Sequence, residues 1–139
     1  MYSTIVAAVD GSEESLAALR HARGIAECYG SRLILVHAYP RTSDLRDFEQ
    51  YDRLMSQRKK EGAEILANAR RHLKAVPFEV EEDLLEGPAS TAVLSAAEAH
   101  KADLIVLGTR GMGAFKGLLM GSVGTRVVHY AACPVMIVR

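Results

Sequence analysis

Ile5-Val6-Ala7-Ala8-Val9, Leu33-Ile34-Leu35-Val36 and Leu104-Ile105-Val106-Leu107 are continuous apolar runs of the kind suited to central strands. A strand without polar alternation must be covered on both faces, which places it inside a parallel sheet flanked by helices. Parallel neighbours cannot be joined by hairpins and need long crossovers, and the segments between these runs carry helical periodicity. The pattern predicts strands over 4–9, 32–38, 78–85, 103–108 and 135–139. Helices are predicted over 15–29, 47–73, 89–100 and 122–131. The expected fold is therefore α/β, a doubly wound five-stranded parallel sheet with helices on both faces.

Local signals sharpen this reading. Ser12 ahead of Glu13 and Glu14 is a cap with an acidic first turn, Gly30 is a stop, and Pro88 suits the first position of the third helix. The Arg58-Lys59-Lys60 run reads as the solvated face of the long second helix. The charges in Phe78-Glu79-Val80-Glu81-Glu82-Asp83 suit only a partly exposed strand, so the third strand is expected on an edge.

With 139 residues and 49% hydrophobic content the chain can bury a sizeable core, and 1–139 reads as one domain. Lys plus Arg and Asp plus Glu are equal at 17 each, so nothing global attracts nucleic acid or acidic membrane, and neither is expected as a partner. No stretch approaches the roughly 18 apolar residues of a membrane span, and Met1–Thr4 run straight into a strand without a basic leader. A cytoplasmic location is expected. Cys28 and Cys133 lack any paired spacing and are expected to be buried reduced thiols.

The densest chemistry lies late in the chain, in Gly108-Thr109-Arg110-Gly111, nine residues, then Gly121-Ser122. Gly108 falls at the carboxyl end of the fourth strand, where open parallel sheets bind ligands. Gly108 and Gly111 allow a sharp turn lying close to a bound group, while Gly121 and Ser122 open a helix. Its first-turn N–H groups, its dipole and the Ser122 hydroxyl favour phosphate oxygens. A loop rich in glycine for turning alone is the plainer alternative. Two other phosphate loops are excluded: no Lys-Ser or Lys-Thr pair follows Gly113 or Gly117, and Lys116 stands where a dinucleotide fingerprint needs its third glycine. Asp10, at the end of a central strand, either serves a nucleotide through ribose hydroxyls or a divalent ion, or caps the first helix or its turn.

The glycine pattern at Gly108, Gly111, Gly121 and Ser122 resembles the ATP-binding signature of the universal stress protein family. Ile5–Ser12, Leu33–Ala38, Glu86-Gly87-Pro88 and Cys133–Val138 resemble further segments of that family in the same order. The resemblance implies strand order 3-2-1-4-5, ATP with Mg as ligand and a homodimer. It puts Ala8 and Asp10 beside the adenosine, Ala38 against adenine through its backbone, and Leu107 beside the base. Gly108, Gly111, Gly121, Ser122, Val123 and Gly124 would meet ribose and phosphates, with Arg110 and Gly113 in the same loop. Some relatives carry threonine where this chain has Gly124.

Arg110, Lys116 and Arg126 add positive charge near the loop, though each reads as a solvated charge before it reads as a phosphate ligand. His37 is expected to be packed and hydrogen-bonded close to the adenine, and the other histidines show no metal-ligand spacing. No base and cationic clamp for phosphoryl transfer are recognisable, so no residue is assigned a catalytic role and the expectation is an ATP-binding regulatory stress-response protein. A slow ATPase or phosphotransfer enzyme using Asp10 and Ser122 is the alternative, and a dimeric interaction module without nucleotide the third. Val135-Met136-Ile137-Val138, expected on the other sheet edge, is the expected dimer surface, paired antiparallel about a two-fold axis.

Overall fold

The computed structural model describes residues 1–41, 47–109 and 120–139. The elements alternate as β1 (Thr4–Ala8), α1 (Glu13–Tyr29), β2 (Arg32–Tyr39), α2 (Phe48–Leu73), β3 (Val80–Glu86), α3 (Ala89–Ala99), β4 (Leu104–Gly108), α4 (Ser122–Tyr130) and β5 (Val135–Val138). The strands form one parallel sheet in the order β3-β2-β1-β4-β5. That is the expected order, with the charged β3 and the apolar β5 at opposite edges.

The uninterrupted apolar runs have the reason anticipated for them. Along β1 and β2, Ile5, Ala7, Leu33 and Leu35 pack under α1 and α2, whereas Val6, Ile34 and Val36 pack under α3 and α4. Every position of the central strands therefore meets a helix, and each fully buried Leu, Ile or Val contributes about 1.5–3 kcal/mol. β3 balances its edge charges in pairs. Arg32 Nη1 lies 3.3 Å from Glu81 Oε2, a charge contact without hydrogen-bond geometry, and the His100 ring meets Asp83 Oδ2 through Nε2 at 2.8 Å.

The helix ends follow their caps. The Ser12 hydroxyl accepts from Ser15 N–H at 3.1 Å, and Gly30 closes α1 in the left-handed region at φ 65°. Pro88 stands one position earlier than expected: it is the N-cap of α3, in extended conformation, and Ala89 opens the helix. Its missing N–H is harmless there, because a residue that precedes the helix donates nothing to it.

The cysteines depart from expectation. Cys28 is exposed and Cys133 only half-buried. α1 buries the stripe Ala18, Leu19, Ala22 and Ala26, and Cys28, two residues beyond Ala26, falls on the opposite face. Burial, and then the nearby Asp103 carboxylate, raise the Cys133 thiol above the ordinary value. Among the described residues no helix is long and apolar enough to cross a membrane.

Candidate functional site

A cleft of about 720 Å³ opens over the carboxyl ends of β1, β2 and β4. β1 is followed in the chain by β2 on one side and flanked by β4 on the other, so the crevice lies where the winding reverses. Ala8, Asp10, Ala38, Leu107, Gly108, Gly121, Ser122, Val123 and Gly124 all line it. Arg110, Gly111, Gly113 and Lys116 lie outside the described residues.

At the β4 end of the cleft the backbone dominates. Thr109 N–H donates to Val138 O at 2.8 Å, and its carbonyl accepts from Gly121 N–H at 2.6 Å. Residues 109 and 121 are thereby held together, and α4 begins at the mouth of the cleft. Gly121 is its N-cap and supplies no side-chain cap, so the first turn of α4 presents peptide N–H groups and the positive end of the helix dipole towards the cavity. The Ser122 hydroxyl stands exposed beside them.

Two glycines have packing roles that spacing did not reveal. A Cβ on Gly108 would lie 2.8 Å from the Glu14 carbonyl carbon and 2.9 Å from its oxygen, so Gly108 admits the first turn of α1 against β4. Its close approach is to the protein's own backbone. A Cβ on Gly124 would meet Met120 Cγ at 2.9 Å and Ile137 Cδ1 at 3.7 Å, so that position seats α4 on its neighbours.

Asp10 combines both of its candidate settings. Its Oδ1 accepts from Ser12 N–H at 2.9 Å and from the Ser12 hydroxyl, which orders the turn into α1, while the residue also faces the cleft. Arg126 turns elsewhere: its guanidinium carbon lies 5.7 Å from the Tyr130 ring centroid on the exposed side of α4.

The β2 end is walled by side chains, and here α2 contributes groups that the sequence did not expose. Arg58, Glu61, Gly62 and Ile65 line the cleft. Arg58 was expected on a solvated face, yet its Nη1 donates to Pro40 O at 3.0 Å and so reaches across the top of β2. Lys59 and Lys60 remain exposed. His37 is buried as expected, its Nδ1 2.7 Å from Val9 O. Gly62 makes room for it: a Cβ there would lie 2.6 Å from Leu84 Cδ1 and 3.0 Å from His37 Cδ2. The buried positions Met55, Gly62, Leu66, Ala69 and Leu73 recur at helical spacing, and Arg58 falls on the same stripe between Met55 and Gly62, so this periodicity was a signal of the face that meets the sheet. Gly62, a glycine within an otherwise helical stretch, was a second signal. Among the described residues no group of three or more His, Cys, Asp or Glu side chains is arranged to hold a metal ion.

The family model described as "Universal stress protein family" matches residues 1–139. The "Universal stress protein in QAH/OAS sulfhydrylase 3'region" of Thermus aquaticus is 40% identical over 139 residues, covering 100% of both chains. Among solved structures, a universal stress protein in complex with cAMP superimposes with a TM-score of 0.76 at 33% identity, over 99% of this chain and 97% of that one. The universal stress protein from Archaeoglobus fulgidus in complex with dAMP gives a TM-score of 0.74 at 25% identity, over 100% of this chain and 98% of the other. The resemblance seen in the glycine pattern thus extends from end to end, and the chain belongs to the universal stress protein family.

Proposed function

We propose that residues 1–139 act as one nucleotide-binding domain that holds ATP in this cleft, and that the bound nucleotide biases conformation or partner binding in a cytoplasmic stress response. The observation that carries the reading is the start of α4. Peptide N–H groups without a side-chain cap meet the mouth of a cavity that continues over β1 to β2, long enough to seat phosphates at one end and a base at the other. The cAMP and dAMP complexes of the two structural relatives support an adenine nucleotide as the class of ligand.

Magnesium fits as a companion of the phosphates. Mg²⁺ commonly takes one or two carboxylates together with substrate phosphates and waters, and Asp10 is a carboxylate of the cleft next to β4. It would neutralise phosphate charge when bound. Binding is favoured over turnover because Asp10 is engaged with Ser12, and because the Arg126 guanidinium lies towards the Tyr130 ring, 5.7 Å from its centroid, and does not line the cleft.

Extraction and mass analysis of the small molecule that copurifies with the protein, followed by calorimetric titration with Mg·ATP, test the reading. A purified chain that neither retains nor binds any adenine nucleotide would overturn it. ATP held intact for many minutes in single-turnover assays is the expected result, and rapid ADP release that is lost in Asp10→Ala would favour an enzyme instead.

The β5 edge is the surface proposed for homodimerisation. Val135, Met136 and Ile137 are only half-buried there, and a two-fold axis would pair the strand with its own copy. Light scattering after size exclusion should give a dimer for the wild type and a monomer or aggregate for Ile137→Pro.

A further inference from the structure

We infer that Ser12 is a positioning residue for the ligand: its hydroxyl holds the Asp10 carboxylate in the orientation in which the bound nucleotide meets it. The inference rests on the nucleotide reading above and adds to it a residue that acts through another.

The turn between β1 and α1 is a closed ring of hydrogen bonds. Asp10 Oδ1 accepts from Ser12 N–H at 2.9 Å and from the Ser12 hydroxyl, and Asp10 N–H donates to Ser15 Oγ at 3.3 Å. Ser15 N–H donates to Ser12 Oγ at 3.1 Å, and the Ser15 hydroxyl donates to Ser12 O at 3.0 Å. Gly11 between them adopts φ 85°, the left-handed conformation that folds Ser12 back onto the carboxylate. Ser12 is buried at 8% exposure and does not line the cleft, whereas Asp10 and Ser15 do.

Capping accounts for only half of what the Ser12 hydroxyl does. A cap needs its oxygen as the acceptor for Ser15 N–H, and the proton is surplus to that task. It goes to Asp10 Oδ1, because an ionised carboxylate can only accept. The hydroxyl thus passes the N–H polarity of the first turn of α1 on to Asp10, in a chain whose bonds reinforce one another. Both Ser12 donors grip the same oxygen, so turning the carboxylate would break two bonds at once. A carboxylate engaged in this way is a poor base, but one fixed in direction is a preorganised acceptor for the donors that a nucleotide brings.

The test is a double-mutant cycle read by calorimetric titration with Mg·ATP. Ser12→Gly suits it: the backbone at φ −77° and ψ 158° is open to any residue, and glycine caps a helix but has no proton to give Asp10. In the wild-type background Ser12→Gly should weaken Mg·ATP binding about fivefold. In the Asp10→Ala background it should change affinity by less than about twofold. Ser12→Thr, which keeps the hydroxyl, should bind within about twofold of wild type. An equal loss in both backgrounds would mean that Ser12 acts only by ordering α1, and would overturn the inference. Full affinity in a folded Ser12→Gly or in Asp10→Ala would overturn it as well, while leaving nucleotide binding intact. A wild-type chain that binds no Mg·ATP would instead overturn the nucleotide reading itself, and this inference with it.

Discussion

The two ends of the cleft are built on opposite plans. At the β4 end the walls are main chain: the Thr109 carbonyl holds Gly121 N–H, and α4 opens without a side-chain cap. At the β2 end the walls are side chains pinned to the main chain, with His37 on Val9 O, Arg58 on Pro40 O and Leu84 against Gly62. Backbone N–H groups recognise charge and tolerate any phosphate ester, whereas oriented side chains discriminate shape and hydrogen-bond polarity. Affinity should therefore reside mainly at the first end and selectivity at the second.

Four substitutions probe this division, from the largest expected effect to the smallest. Gly108→Ala sets a Cβ against the Glu14 main chain at 2.8 Å, and backbone cannot step aside as a side-chain tip can. Urea unfolding should show a loss of about 3 kcal/mol; a loss under about 1 kcal/mol would mean that α1 is free to shift away from β4. Gly121→Val should act on the ligand instead. Its φ of −75° is open to any residue, so stability should change by less than about 1 kcal/mol, while Mg·ATP binding weakens by about 1.4 kcal/mol, or tenfold, in calorimetry. Unchanged affinity would remove the phosphates from the α4 end.

Gly62→Ala tests the side-chain end. Its Cβ collides with a methyl group of Leu84, which can rotate, and alanine gains up to about 1 kcal/mol of helix propensity over glycine. The net change in thermal or urea stability should lie within about 1 kcal/mol of zero. A loss as large as that of Gly108→Ala would show that α2 and His37 are as rigidly joined as α1 and β4. Arg58→Ala removes an exposed hydrogen bond to Pro40 O and should cost about 0.5 kcal/mol in urea, with Mg·ATP affinity nearly unchanged. A tenfold loss of affinity would instead move Arg58 to the charge-recognising half.

The contrast also explains what the chain disclosed before folding. The uninterrupted runs of β1, β2 and β4 state their burial in composition alone, and the charges on β3 state its edge position, so the layers were legible, while the full strand order came from the family resemblance. The opening of α4 was legible for a similar reason, because a helix start is a local event set by Gly121 and Ser122 and by the residues that follow. Gly108 was legible as a glycine but not in its purpose, since its crowding partner Glu14 lies in a distant part of the chain. Arg58 and Gly62 lie on the stripe of Met55, Leu66, Ala69 and Leu73, but an arginine inside a basic run masks its place there, and its bond to Pro40 O depends on the docking of α2 onto the sheet. The misplacement of Cys28 is the same failure on a smaller scale, two residues around a helix from the buried stripe.

The double engagement of Thr109 has a consequence for how this architecture can move. Its N–H is tied to Val138 O and its carbonyl to Gly121 N–H, so the chain leaves the sheet and rejoins it at one stapled point. The last strand, the end of β4 and the cap of α4 are thereby linked through main chain alone, so a displacement of β5 at the sheet edge would be handed on to the mouth of the cleft.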